Sequence, residues 1–147
     1  MDSRKLTPKV NTTLKDLLIV DDSIPVRKIL MSALAHIDLP IGKILEAGDG
    51  TEALTFLDAY PVGLVLTDIN MPNMNGIELL RAVRASPQWH NIPMVVITAE
   101  GAEASLQEAI ESGANSFILK PFSIAALRQL VVFLPNRAVP ARPINVV

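Results

Sequence analysis

The sequence predicts a doubly wound α/β fold, a parallel sheet of five strands with five helices packed on its two faces. Three observations lead there. Short apolar runs recur along the chain: "LLIV" at 17–20, "KILEA" at 43–47, "GLVLT" at 63–67, "MVVIT" at 94–98 and "SFIL" at 116–119. Segments with apolar residues at helical spacing separate them. Three of the runs lack polar alternation, as strands buried on both faces do.

Each helix has its own signal. The first spans about Ser23 to Ile37, with Val26, Ile29, Leu30, Ala33 and Leu34 as its apolar face. The second opens on Asp49 with Glu52 three residues on, a capping-box pattern. Asn75 and Glu78 repeat that pattern ahead of Ile77, Leu79, Leu80 and Val83. The fourth carries Leu106, Ala109 and Ile110 and stops at Gly113, a helix-ending signal. The fifth opens at Ser123 and runs through Leu127, Leu130 and Val131. Residues 1–15 read as a polar arm, 16–134 as one folded domain, and the proline-rich 135–147 as a tail or linker.

At 147 residues the chain has the length of one ordinary domain with its own core. Half of it is apolar, yet no run approaches the roughly 20 residues needed to cross a bilayer. The first twenty residues do not read as a signal peptide, and the absence of cysteine excludes disulfides and thiolate metal sites. A cytoplasmic protein without membrane insertion is expected. The net charge is -2, and much of the positive charge lies outside the folded part, at Arg4, Lys5, Lys9 and Lys15 and at Arg137 and Arg142. The body is therefore acidic, which argues against nucleic acid as a partner and suits a cation.

In a parallel sheet all the strand carboxyl ends share one edge, and ligands bind there. Asp21 and Asp22 follow the first run, Asp68 the third, Thr98 closes the fourth, and Lys120 follows the fifth. Taken singly, an acid after a strand is a loop or helix cap, and a strand-end Thr is β-branched filler. Together they are harder to dismiss. Two carboxylates about 5 Å apart repel by roughly 3 kcal/mol at an effective dielectric of about 20. Lys120 supplies one positive charge. A hard divalent ion supplies more, and an all-oxygen site suits Mg²⁺ or Mn²⁺. A carboxylate beside a metal and an ammonium can attack a phosphoryl group and become an acyl phosphate. Asp68, in the central run, is the candidate nucleophile. Asp21 and Asp22 are candidate metal ligands, and Thr98 can hydrogen-bond a phosphoryl oxygen.

The motifs "IVDDS", "LTDINMPNMNG", "VVITA" and "FILKPF", in this order and each after its own strand, resemble the receiver domain of bacterial response regulators, most closely the single-domain chemotaxis (CheY-like) type. The resemblance covers about Asp16 to Leu134. It implies a flavodoxin-like sheet of strand order 2-1-3-4-5 and a two-component switch rather than a turnover enzyme. By it, Asp68 is the phosphoacceptor and Asp22 a direct Mg²⁺ ligand, with Asp21 acting through water. The backbone carbonyl of Asn70 completes the protein ligands. Thr98 and Lys120 match the phosphate-sensing hydroxyl and the motif lysine, and the Lys120–Pro121 bond is implied to be cis. Phe117, a core aromatic by periodicity alone, matches the aromatic that moves inward on phosphorylation. Asn70 and Glu100 match the positions that flank the hydrolytic water. The donor is then a histidine kinase or phosphotransfer protein. The output is a protein contact through the face of the fourth helix, fifth strand and fifth helix. The fourth helix carries Glu103, Glu108 and Glu111 and no lysine, which separates it from the best-known flagellar-motor regulators.

His36, His90 and Trp89 read as structural, and Gly48–Asp49–Gly50 as a turn. Four other readings compete. The chain could be the receiver part of a larger regulator whose output domain follows the tail. A phosphatase of the haloacid-dehalogenase type also uses a strand-end Asp with Mg²⁺. It needs an acid two residues on, where this chain has Asn70. A flavodoxin-like carrier would find its FMN phosphate repelled by "DDSIP". A degenerate receiver that only docks is disfavoured by the intact acid set.

Overall fold

The computed structural model describes residues 15–38, 41–99 and 101–133. The expected arm and tail therefore lie outside the described residues, apart from Lys15. Five strands, β1 (Asp16–Val20), β2 (Ile44–Ala47), β3 (Val62–Thr67), β4 (Met94–Ala99) and β5 (Ser116–Lys120), form one sheet in the order β2-β1-β3-β4-β5. Every pairing is parallel. The helices between and after them are α1 (Ile24–Ala35), α2 (Gly50–Ala59), α3 (Gly76–Arg84), α4 (Glu103–Glu111) and α5 (Ile124–Phe133). This is the doubly wound, flavodoxin-like architecture that the sequence predicts.

The strands are apolar throughout because each face of the sheet has its own core. Leu17, Ile19, Leu64, Leu66, Val95, Ile97 and Ile118 point to the side of α1 and α5, where Leu30, Leu34, Leu127 and Leu130 meet them. Leu18, Val20, Val65 and Val96 point the other way, to Ala53 and Leu57 of α2, Leu79, Leu80 and Val83 of α3, and Ala109 of α4. A period of two along each strand thus separates two packed layers.

The helix starts follow their side-chain chemistry. Ser23 caps α1, its hydroxyl accepting from Val26 N–H at 3.2 Å, so the helix begins one residue later than the sequence suggests. Pro25 sits in the first turn, where a missing N–H costs nothing. Asp49 caps α2, and Asn75 with Glu78 forms the reciprocal capping box of α3. Helix α4 has no side-chain cap, and Gly113 follows its end at φ 115°, a conformation glycine adopts without strain.

One expectation about α1 is corrected. Ile29 does not belong to the buried face: it is 59% exposed, whereas Leu30, Ala33 and Leu34 are buried. The helix packs on a stripe centred on Leu30 and Leu34, and Ile29 lies about 100° round the axis from Leu30. Trp89 packs against the α2–α3–α4 core from its loop.

Candidate functional site

The register of β1 against β3 brings the site together. Val20 pairs with Thr67, so Asp21 and Asp68 leave the sheet side by side. The Asp68 N–H donates to the Val20 carbonyl at 2.9 Å, and the Asp21 N–H to Ala47 at 3.0 Å. The Asp68 carbonyl accepts from the Thr67 hydroxyl at 2.8 Å, and its carboxylate oxygen Oδ1 accepts the Ile69 N–H at 2.8 Å. Gly76, at the start of α3, lies against this backbone. A Cβ there would run into the Asp68 carbonyl.

Asp21 is 2% exposed and held at three points. Its Oδ1 accepts the Ser23 N–H at 2.8 Å, its Oδ2 lies 3.5 Å from Lys120 Nζ, and its carbonyl accepts from Arg27 Nη1 at 2.6 Å. Asp22 is exposed. Carboxylate oxygens of Asp21, Asp22 and Asp68 all lie within 4.8 Å of one another. Lys120 reaches in from the end of β5, with Nζ 3.8 Å from Asp68 Oδ2. The peptide bond after it, Lys120–Pro121, is cis.

Burial pushes the Asp68 carboxyl above the usual carboxylate range. Lys120 opposes the shift, and the neighbouring charges of Asp21 and Asp22 add to it. Three acids with a single ammonium leave negative charge uncompensated. The donor set is all oxygen and partly open, and it fits a hard divalent cation such as Mg²⁺.

Thr98 is buried near the end of β4. Phe117 is buried as well, at 8% exposure, in the core that includes Val96 and Ala109. Asn70 is exposed in the loop after β3. That loop is tied to α2: Asn73, at φ 66°, donates to Asp49 Oδ2 at 2.6 Å, and Gly50 N–H donates to the Met74 carbonyl at 2.9 Å. The Asn73 bond, with the backbone N–H groups of α2, holds the Asp49 carboxyl below the usual range. Glu100 lies outside the described residues.

The sequence reading overlooked Arg27. Its Nε donates to Glu46 Oε1 at 2.9 Å while Nη1 holds the Asp21 carbonyl, and Lys28 meets the other Glu46 oxygen at 3.2 Å. These bonds, Arg27's first, lower the Glu46 carboxyl below its ordinary value. His36 and His90 are exposed, each with a ring nitrogen near a backbone carbonyl of its own segment.

Comparison with known proteins points the same way. The family described as response regulator receiver domain matches residues 17–132. Chemotaxis protein CheY1 of Helicobacter pylori is 40% identical over 114 residues, covering 77% of this chain and 90% of that protein. Chemotaxis protein CheY of Pseudomonas aeruginosa is 39% identical over 115 residues, covering 78% and 91%. Among solved structures, the chemotaxis response regulator CheY4 of Vibrio cholerae superposes with a TM-score of 0.73 at 31% identity, covering 83% of this chain and 99% of that one. A putative response regulator of Chloroflexus aurantiacus gives 0.77 at 28%, covering 85% and 100%. With a family model matched over residues 17–132 and chemotaxis CheY proteins at about 40% identity, the chain belongs to the response regulator receiver domain family, and within it to the CheY-like kind.

Proposed function

We propose that the protein is a phosphorylation-controlled signalling switch in which Asp68 takes a phosphoryl group from a histidine kinase or phosphotransfer protein. One observation carries the reading: the half-buried Asp68 carboxylate shares an oxygen cluster with Asp21 and Asp22 and has the Lys120 ammonium 3.8 Å away. Asp22, the Asp68 carboxylate and the Asn70 backbone carbonyl would hold Mg²⁺, with Asp21 acting through water. Bound there, the metal supplies positive charge for the equatorial phosphoryl oxygens.

In the transfer, an Asp68 Oδ attacks phosphorus. The bond from phosphorus to the donor's imidazole nitrogen breaks, and that nitrogen keeps the electron pair. Lys120 neutralises charge on the phosphoryl oxygens. Thr98 moves toward the group and hydrogen-bonds one of its oxygens, and Phe117 fills the space that Thr98 vacates. The phosphoryl group thereby favours one of two pre-existing states of the α4–β5–α5 face, which changes its affinity for a protein. Asn70 and Glu100 flank the path of the water that later hydrolyses the acyl phosphate. Arg81 of α3 already pairs with Glu108 of α4 at 2.9 Å, and the acidic α4 favours a partner that differs from those of the flagellar-motor regulators.

No helix among the described residues is long and apolar enough to cross a membrane. The phosphatase reading fails on Asn70, which cannot act as general acid. The test is incubation with Mg²⁺ and a small-molecule phosphodonor such as acetyl phosphate, followed by mass measurement. Wild type should gain one phosphoryl group and Asp68→Asn none. A chain that gains none in either form is a docking module instead.

A further inference from the structure

We propose that Arg27 is a positioning residue for the metal pocket, fixing the main chain between Asp21 and Asp22 so that both acids face the cation. The inference rests on the reading that these acids hold Mg²⁺. The carbonyl that Arg27 Nη1 grips at 2.6 Å belongs to the peptide unit joining the two acids. Turning that unit swings both carboxylates. Arg27 also bonds Glu46 through Nε at 2.9 Å, and its side chain is only 15% exposed. A planar guanidinium engaged at two points cannot rotate freely, so the fork ties the end of β1 to α1 and to the neighbouring strand β2. The Ser23 N–H on Asp21 Oδ1 and Lys120 near Oδ2 orient the side chain, and Arg27 orients the backbone behind it.

Charge alone predicts the opposite effect. A guanidinium close to the pocket repels a divalent cation, so its removal should tighten binding. If Arg27 positions Asp21, its removal should loosen binding. Lys28 is the matched control: it pairs with the same Glu46 and is 62% exposed.

The experiment is calorimetric titration of the full chain with MgCl2, comparing wild type, Arg27→Ala, Arg27→Lys and Lys28→Ala. Arg27→Ala and Arg27→Lys should each weaken Mg²⁺ binding about tenfold, the scale seen when groups behind metal ligands are removed. Lysine keeps the charge but cannot make both bonds. Lys28→Ala should bind as tightly as wild type or more so. Partial unfolding would lower the stoichiometry, whereas misplaced ligands change Kd at full stoichiometry. Arg27→Ala binding as tightly as wild type, or Arg27→Lys restoring wild-type affinity, overturns the proposal. Wild type that binds no Mg²⁺ overturns the metal reading itself, and the positioning role with it.

Discussion

Lys120 Nζ stands 3.8 Å from Asp68 Oδ2 and 3.5 Å from Asp21 Oδ2, so one ammonium serves two carboxylates. It is the only Lys or Arg with an ion-pair contact to either acid among the described residues. Lys120→Met keeps the stem and removes the charge. Adduct formation from acetyl phosphate should slow by about 10²-fold, as when one charge-stabilising donor is removed. Mg²⁺ binding should persist or tighten. Mass spectrometry over time and calorimetry check the two halves.

The raised pKa of Asp68 has a defined sign for stability. The folded chain holds that proton more tightly than the unfolded chain. Ionised Asp68 therefore costs stability at neutral pH. The cost fades as pH falls through the folded value and vanishes below the unfolded one. Without metal, Asp68→Asn should melt higher than wild type at pH 7. The gap should close on acidification. Added Mg²⁺ should raise the wild-type melting temperature more than the variant's. Thermal melts at several pH values, with and without Mg²⁺, provide the check.

Gly76 is fixed by contact rather than by backbone angle. A methyl group there meets the Asp68 carbonyl and the Ile69 Cα. Gly76→Ala should cost about 1–3 kcal/mol, the range for overpacking a filled site. Because the atom displaced is the acceptor's own carbonyl, phosphorylation should slow too. Urea unfolding and the adduct assay measure both.

Arg84 ties the opposite edge of the sheet. Its guanidinium donates to the carbonyls of Gly113, His90 and Ile92 and to Asn115 Oδ1, which also accepts the Met94 N–H at 2.8 Å. Arg84→Ala should destabilise by about 3 kcal/mol, since it leaves partly buried acceptors unmet. Mg²⁺ affinity should not move, because the contacts lie at the other ends of the strands. Chemical denaturation paired with calorimetry separates the two effects.

The architecture was legible because parallel strands buried on two sides are apolar along their whole length, and the acids stand out where those runs stop. Asp21, Asp68 and Lys120 could be placed on one edge from topology alone, as could Thr98. Arg27 and Arg84 could not. Their acceptors are mostly main-chain carbonyls, which every residue has and no sequence pattern marks. Ile29 was misplaced for a different reason. Helical spacing gives a stripe but not its centre, and the sheet beneath α1 chose Leu30 and Leu34. The Asn73–Asp49 bond joins two loops 24 residues apart, a pairing that depends on where β2 and β3 end.

The peptide groups on either side of Asp68 are immobilised: one N–H is spent on Val20, the carbonyl on Thr67, and Gly76 is wedged beneath. A new substituent on that side chain finds no give in its own anchorage. Whatever room it needs must come from the side chains that face it, Lys120 among them. If Asp68 takes a phosphoryl group as proposed, the rigidity of that one residue would pass the change to its neighbours.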